Sequence, residues 1–297
     1  MPLTALAVLL RRAVLAACTA LLAACAAAPR DPGSAKLALV IGNAAYENAP
    51  ALSNPVNDAT DMCAALRKVG FTTLCHTNVR DRTEFDARVK EYVDGLGSDS
   101  VGVVYYSGHG VQAGNANFLI PTQASVKTAT EDPWRVLYGL DELFDRLRQK
   151  PTRFQLVILD ACRTDLFPQG PRSTAGRGAT TGTRTPLLRS LETVGRASSG
   201  LVRIQDAPPS TIVLYATASK DAAYDGDGRN GPLTKHVLKH IGTSGLLLDD
   251  FIGRVTAGVV NETDRYEKRQ TPFKYGSFIG KFCFAGCPGD GRPPPLN

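Results

Sequence analysis

The chain of 297 residues alternates short apolar runs with segments in which apolar residues recur at helical spacing. A run of about four to eight apolar residues is typical of a buried strand, and a period near 3.6 is typical of a helix packed by one face. Strands that alternate with helices favour a mostly parallel sheet covered on both sides. The predicted strands are residues 36–42, 71–76, 101–106, 154–160 and 211–216, and the predicted helices are residues 57–69, 82–96, 140–147, 232–241 and 247–260.

The third and fourth predicted strands end close to two reactive side chains. His109 follows the third strand in a predicted tight turn between two glycines, and Cys162 follows the fourth strand. Sites in parallel α/β sheets lie at the carboxyl ends of the strands. If the two strands are neighbours, an imidazole meets a thiol there, as nucleophilic thiol catalysis requires. Taken singly, each residue has a structural alternative, since a buried cysteine is usually a small hydrophobic residue.

The N-terminus predicts export. Residues 1–24 contain no acid, and an arginine pair precedes an apolar stretch, which is typical of a signal peptide. The stretch ends Leu22-Ala23-Ala24-Cys25, which resembles the lipobox of bacterial lipoproteins. We expect lipidation at Cys25, a tether over residues 25–35, and a membrane anchor on the periplasmic side of the outer membrane, because Ala26 rather than an aspartate follows. A plain cleaved signal, and the weaker pattern ending at Cys18, remain alternatives.

The cysteine count indicates a free thiol. Seven cysteines, less the two of the N-terminal region, leave an odd number. In an oxidising compartment we predict bridges between Cys63 and Cys75 and between Cys283 and Cys287, although sequence alone does not fix the connectivity. This pairing leaves Cys162 as a thiol.

A stretch rich in arginine and small residues separates the fourth and fifth strands. Six arginines face a single acid between residues 172 and 203, among many Gly, Ser and Thr residues. The stretch predicts a flexible linker over residues 167–209 and not a nucleic-acid surface, because it lacks interleaved aromatic residues. The formal net charge of +6 therefore indicates no nucleic-acid partner.

The segment Gly226-Asp227-Gly228-Arg229-Asn230-Gly231 has the G-x-G-x-x-G spacing of dinucleotide-binding loops. That motif follows a strand directly, whereas the fifth predicted strand ends at residue 216, and Asp227 would oppose a pyrophosphate. The segment also lacks the ligand spacing of a calcium loop. We therefore predict no cofactor and no metal site, and a mobile loop beside a substrate cleft.

The two strand ends together resemble the catalytic motifs of the caspase superfamily, in its metacaspase and bacterial caspase-like branch. These are Tyr106-Ser107-Gly108-His109-Gly110 and Asp160-Ala161-Cys162-Arg163, and the caspase histidine also lies about 50 residues before its cysteine. The resemblance covers most of residues 36–284 and includes Asn57-Asp58-Ala59.

The resemblance implies a three-layer α/β fold with a mostly parallel six-stranded sheet and helices on both faces. It also implies a large-subunit-like segment over residues 36–166, the linker, and a small-subunit-like segment over residues 210–284. Residues 285–297 are expected to form a disordered tail.

The resemblance further implies roles for particular residues. Cys162 would be the nucleophile, His109 the general acid and base, and the amides of Gly110 and Cys162 the donors to the oxyanion. Asp58 and Asp160 would line a pocket that selects Arg or Lys, because paired carboxylates suit a guanidinium. The alternatives are helix N-capping or pairing with the helix dipole in the first turn for Asp58, and a structural hydrogen bond for Asp160.

Two classes of function stay open from the sequence. The first is a cysteine endopeptidase that cleaves polypeptides after Arg or Lys, with calcium activation as an unassigned option. The second is a catalytically silent lipoprotein that uses the same fold as a binding module. The presence of both His109 and Cys162 favours the enzyme.

Overall fold

Six strands form one continuous sheet in the order β2-β1-β3-β6-β8-β9, and all but β9 run parallel to their neighbours. The computed structural model describes residues 36–113, 116–125, 132–162, 197–198, 207–217, 228–266 and 269–288. The strands are β1 (Lys36–Gly42), β2 (Thr72–Thr77), β3 (Val101–Ala113), β4 (Ala116–Leu119), β5 (Tyr138–Gly139), β6 (Phe154–Cys162), β7 (Ala197–Ser198), β8 (Thr211–Tyr215) and β9 (Phe273–Gly276). The helices are α1 (Pro55–Lys68), α2 (Arg82–Asp94), α3 (Leu140–Arg148), α4 (Pro232–His240) and α5 (Leu248–Thr263).

Alternate residues of the central strands face opposite layers of helices. In β1, Ala38 and Val40 lie in one apolar cluster with residues of α1, α4 and α5, whereas Leu37, Leu39 and Ile41 lie in a second cluster with residues of α2 and α3. Strands buried on both faces explain why the sequence shows continuous apolar runs. The structure confirms the predicted three-layer fold with its six-stranded, mostly parallel sheet.

The third strand continues past the predicted tight turn. β3 extends to Ala113 and there pairs with β4 on one edge and with β7 on the other. The prediction of a turn at His109 is therefore wrong, because these partner strands extend the ladder through a glycine-rich segment. Gly108 has φ 154°, and a Cβ there would lie 2.6 Å from Tyr46 Oη. Gly108 thus serves close packing within a strand rather than a reversal of the chain.

The first crossover brings α1 against the end of β1. A Cβ on Gly42 would lie 2.1 Å from the Pro55 carbonyl oxygen, so only glycine permits this approach. Asn54 precedes the helix, and Pro55 occupies its first turn. Proline is well tolerated there because that position needs no amide donor. The close contact places the first turn of α1, and with it Asp58, over the carboxyl ends of the strands.

Two disulfides close short loops at the periphery of the fold. Cys63 of α1 bridges to Cys75 of β2, and Cys283 bridges to Cys287. Both predicted pairings are confirmed. The second bridge spans residue 284, at which we placed the end of the domain, and the described chain continues to residue 288.

Several predicted segments lie outside the described residues. They are the signal, with Cys18 and Cys25, the tether, and most of the linker and of the C-terminal tail. Within the described ranges, no helix is long and apolar enough to cross a bilayer.

Candidate active site

His109 and Cys162 are direct register partners across the β3–β6 pair. The parallel ladder aligns Ser107 with Asp160, then Gly108 with Ala161, then His109 with Cys162. The backbone positions of the predicted base and nucleophile therefore lie side by side at the carboxyl edge of the sheet. The side chain of Cys162 lies outside the described part of the structure.

The imidazole of His109 is held from two sides and is only 3% exposed. Its Nε2 lies 2.8 Å from the Pro50 carbonyl oxygen, and its ring packs against Tyr46 with the centroids 4.4 Å apart. Tyr46 also accepts a hydrogen bond from the His109 amide at 2.7 Å, and Tyr106 Oη donates to the His109 carbonyl at 2.8 Å. These contacts fix both the backbone and the ring.

The contact with Pro50 decides which ring nitrogen is basic. A carbonyl oxygen accepts hydrogen bonds and cannot donate, so Nε2 carries the hydrogen in this arrangement. In the neutral imidazole Nδ1 is then the nitrogen that can take up a proton. A thiol proton from the neighbouring strand would therefore have to reach Nδ1.

Two asparagines anchor the loop that carries Tyr46 and Pro50. Asn43 donates from Nδ2 to the Ile120 carbonyl at 3.0 Å and accepts from the Val79 amide at 2.9 Å. Asn78 accepts from the amides of Ala44 and Ala45 at 2.9 and 3.0 Å. The loop is thus tied to the sheet edge by side-chain bonds to backbone, which explains how it reaches over His109.

The amide of Gly110 points away from β4. The Ile120 amide donates to the His109 carbonyl at 3.1 Å, which makes Gly110 and Leu119 a non-hydrogen-bonded pair of the antiparallel ladder. Successive residues of a strand direct their amides to alternate edges, so the Gly110 amide points to the edge where β6 ends. This direction suits the predicted role as an oxyanion donor.

Asp58 is buried among three donors from two other parts of the chain and is 2% exposed. Its Oδ2 accepts from Ser107 Oγ at 3.0 Å, and its Oδ1 accepts from Asn230 Nδ2 and from the Gly231 amide, both at 3.1 Å. Asn54, not Asp58, is the N-cap residue of α1. The capping alternative for Asp58 is therefore wrong, whereas Asp58 does lie in the first turn of α1, as the dipole alternative predicts.

Asp160 lies at the N-terminus of α4 and is 9% exposed. Its Oδ2 accepts from Thr234 Oγ1 at 2.6 Å and from the Thr234 amide at 3.3 Å, and the Tyr105 hydroxyl reaches Thr234 Oγ1 at 2.5 Å. A Cβ on Gly231 would lie 3.3 Å from Asp160 Oδ2 and 3.6 Å from Asp58 Oδ2. Both acids therefore converge on the first residues of α4, whose amides favour negative charge. The hydrogen bond predicted as the structural alternative for Asp160 is also present.

Burial and a neighbouring carboxylate perturb the ionisation of Asp58. Burial, followed by the charge of Asp160, raises the pKa of Asp58 from 3.8 to about 7, while hydrogen bonds from Asn230, Gly231 and Ser107 lower it. Burial and the charges of the two acids also raise the pKa of Tyr105. Two buried acids without a bound cation repel each other, so the pair is suited to receive a positive charge.

Sequence reasoning missed several residues that build this site. Ser107 lies in a stretch that resembles a family motif, but nothing in the sequence predicts the contacts of Ser107 or Tyr46. Pro50 carries no signal because it acts through its carbonyl. Asn230 and Gly231 lie in the segment predicted as a loop beside the cleft. The repeated glycines of this segment were the available signal, but we compared their spacing only with that of dinucleotide-binding and calcium-binding loops. Residues 218–227, which belong in part to the same glycine-containing segment, lie outside the described part.

A metal centre has no candidate in the described ranges, where no group of three or more His, Cys, Asp or Glu side chains is placed to hold an ion. The question of calcium activation stays a prediction. The chemistry available among the described residues is that of an imidazole base, backbone donors and a carboxylate pair.

A family model for the caspase domain of peptidase family C14 matches residues 35–282. The chain therefore belongs to the caspase-domain family of cysteine peptidases. The match covers every described strand and helix, including both strand ends of the site.

Relatives and solved structures agree with this assignment. The chain is 29% identical over 130 residues to the human mucosa-associated lymphoid tissue lymphoma translocation protein 1, and 28% identical to the mouse homolog. Each match covers 43% of this chain, which spans only about 15% of the length of these relatives. The fold is similar to caspase-1 of Spodoptera frugiperda, with a TM-score of 0.54 and 13% identity over 86% of this chain and 92% of that one. It is also similar to a protein from Geobacter sulfurreducens, with a TM-score of 0.57 and 18% identity over 83% and 94% of the two chains.

Proposed function

We propose that this chain is a cysteine endopeptidase that cleaves polypeptides after Arg or Lys. The observation that carries the proposal is the register of β3 and β6, which pairs His109 with Cys162 and Ser107 with Asp160. Asp58 of α1 joins this edge through the hydrogen bond that it accepts from Ser107. A base, a nucleophile position and a cation-selective pocket thus share one sheet edge.

The proposed reaction proceeds in two steps. The Cys162 sulfur forms a bond to the carbonyl carbon while its proton passes to His109, and the amides of Gly110 and Cys162 stabilise the oxyanion. His109 then protonates the departing amine as the peptide bond breaks. Water, deprotonated by His109, hydrolyses the thioester and returns the free thiol. The Pro50 carbonyl keeps the imidazole in the tautomer that this exchange needs.

The acid pair supports the choice of substrate. A guanidinium or ammonium group between Asp58 and Asp160 would relieve the repulsion that burial imposes on them. An aspartate side chain in the same position would add a third negative charge. We therefore expect discrimination against acidic residues to be strong.

A matched set of peptides tests the proposal. The peptides differ only in the residue before the cleaved bond, which is Arg, Lys, citrulline or Asp, and citrulline matches the shape of Arg without its charge. We expect the intact protein to cleave the Arg and Lys peptides and Cys162→Ala to cleave none. If the folded wild-type chain cleaves no peptide, with or without added calcium, the chain is a binding module instead.

We also propose that the chain is exported and anchored to the membrane through lipid on Cys25. Two disulfides among the described residues support an oxidising location. Labelling of cells with a radioactive fatty acid should mark the wild-type chain and not Cys25→Ala. Equal labelling of both would contradict the assignment, and Cys18→Ala serves as the control.

A further inference from the structure

A short segment of the chain covers the acid pair. Arg229 makes a two-pronged ion pair with Asp61, with Nε and Nη2 at 2.8 and 2.9 Å from its carboxylate oxygens. The next residue, Asn230, donates from Nδ2 to Asp58 Oδ1 at 3.1 Å and to Asp61 Oδ2 at 3.0 Å. Gly231 follows with its amide on Asp58. We call residues 229–231 the pocket cover.

We propose that Asp61 is a positioning residue that holds the pocket cover over Asp58, so that a basic substrate side chain enters only when Asn230 swings away. This inference rests on the proposed function, because it assigns the acid pair to the substrate's basic residue. It adds a residue one helical turn after Asp58 that controls access to the pocket without touching the scissile bond.

The hydrogen bonds that Asp58 already accepts support this inference. The carboxylate already accepts three hydrogen bonds and is 2% exposed, so an incoming guanidinium finds no open approach to it. Two of the three donors are hard to move. The Gly231 amide belongs to the backbone before α4, and the Ser107 hydroxyl is 2% exposed on β3, which leaves little room for another rotamer. The Asn230 side chain is the donor that a rotamer change removes.

The anchor of the pocket cover lies at the protein surface. The side chain of Arg229 is 60% exposed and that of Asp61 is 27% exposed. An ion pair of this exposure is usually weak, so it can hold a side chain in place and still yield to a substrate. Arg229 lowers the pKa of Asp61 through its hydrogen bonds and charge, so Asp61 stays ionised and the anchor persists at neutral pH.

Four charged or titratable groups surround Asp58. They are Asp160 on β6, Asp61 on α1, Arg229 in the pocket cover and Tyr105 on β3. Swinging Asn230 outward admits water to Asp58, which weakens the burial that disfavours its charged form. The same movement removes the Asn230 hydrogen bond, which lowers the pKa of Asp58, so the two effects on its ionisation oppose each other.

Two variants separate release of the cover from simple electrostatics. Asn230→Ala removes the amide without changing the charge. Asp61→Asn removes the anchor and one negative charge, so electrostatics alone would weaken the binding of a cation. We expect KM for the Arg peptide to fall about three- to fivefold in both variants, because the contact that each removes is a weak one at the surface. The value of kcat should stay within twofold of wild type. Asp94→Asn, which breaks an exposed ion pair with Lys90 at the end of α2, is the matched control and should leave KM unchanged.

A binding measurement keeps the inference separate from the peptidase proposal. In the Cys162→Ala background, calorimetry with Nα-acetyl-arginine methylamide should show three- to fivefold tighter binding for Asn230→Ala. Tighter binding without cleavage by the parent chain would support the cover and reject the peptidase. An unchanged or raised KM and an unchanged or weaker affinity in folded Asn230→Ala would overturn the cover and leave the peptidase proposal standing. The melting temperature of each variant establishes that it is folded.

Discussion

Two neighbouring tyrosines of β3 serve different halves of the site. The Tyr106 hydroxyl supports the backbone of His109, beside Tyr46 and Pro50, and we call this group the histidine half. The Tyr105 hydroxyl reaches Thr234, which binds Asp160, and the group of Asp58, Asp160, Asn230, Gly231 and Thr234 is the acid half. The first half contains no carboxylate and its hydrogen bonds join positions up to 63 residues apart, whereas the second contains two carboxylates and joins positions up to 173 residues apart.

The difference indicates that catalysis and selection are separable in this fold. Apart from the Cys162 partner, the histidine half uses residues that precede position 124, tied together by aromatic packing and backbone bonds. The acid half needs α1, β6 and the start of α4 at once. Changes in the histidine half should lower kcat for every substrate, and changes in the acid half should act on KM and on the preferred residue.

The largest effect is expected from His109→Ala. Loss of a general base typically costs about 10²- to 10⁴-fold in rate, and we expect kcat for the Arg and Lys peptides to fall by a similar factor. Binding of Nα-acetyl-arginine methylamide should stay within twofold of wild type, because the acid half is intact. His240→Ala, at the other end of α4, is the control. A loss of arginine binding in folded His109→Ala would show that the two halves are not separable.

The second prediction concerns stability against pH and the acid half alone. Because the pKa of Asp58 is raised to about 7, the folded chain holds a proton between pH 4 and 7 that the unfolded chain has released. The unfolding free energy should therefore fall as the pH rises through this window, by up to about 4 kcal/mol from this group.

Urea unfolding of wild type and Asp58→Asn at pH 5 and pH 8 isolates this effect. We expect wild type to lose about 2 to 3 kcal/mol more stability than the variant between pH 5 and pH 8. Asp249→Asn removes an exposed ion pair with Lys274 and should show the same pH dependence as wild type. The same slope in wild type and Asp58→Asn would mean that the acids are not held as a repelling pair.

Gly231→Ala tests the acid half by placing a methyl group beside its two carboxylates. Gly231 has φ −60° and ψ 154°, which alanine also adopts, so the backbone should be unstrained. The added methyl would lie against both carboxylates, where a cation would bridge them. We expect KM for the Arg peptide to rise about tenfold at nearly constant kcat, because a partly desolvated charge contact between the substrate and the acids is lost. Gly228→Ala is the control, because its Cβ would lie 3.9 Å from the nearest atom. A fall in kcat alone would assign Gly231 to the histidine half.

The elements of the fold were predictable because each carries its own signal. Buried strands show as apolar runs such as that of β6, and helices such as α3 show a period that one apolar face imposes. The juxtaposition of His109 and Cys162 follows from one topological rule, the shared edge of parallel strands. Asp58 and Asp160 needed the family resemblance, because neither periodicity nor spacing brings α1 to the end of β6.

Other features were unpredictable because their signals are not local. The extension of β3 through Gly108 depends on pairing with β4 and β7, and a glycine-rich segment gives no local signal for such pairing. β9 is a short strand with alternate exposed residues, and its pairing is fixed by β8. Pro50 contributes a carbonyl that every residue type has, and the pocket cover acts through an asparagine and a backbone amide. Long-range hydrogen bonds of this kind leave no pattern in one sequence.

Tyr46→Phe gives the smallest expected effect and tests how the histidine half is held. The substitution keeps the ring that packs on His109 and removes the hydroxyl that accepts from its amide. One neutral hydrogen bond contributes about 1 kcal/mol, so we expect kcat to fall about fivefold for the Arg and Lys peptides alike, with KM unchanged. Tyr138→Phe is the matched control, because that buried hydroxyl has no hydrogen-bond partner among the described residues. If Tyr46→Phe changed the preference for Arg over Lys, the histidine half and the acid half would not be independent. Tyr46 contacts neither acid, so it can alter their selectivity only if the two halves move together.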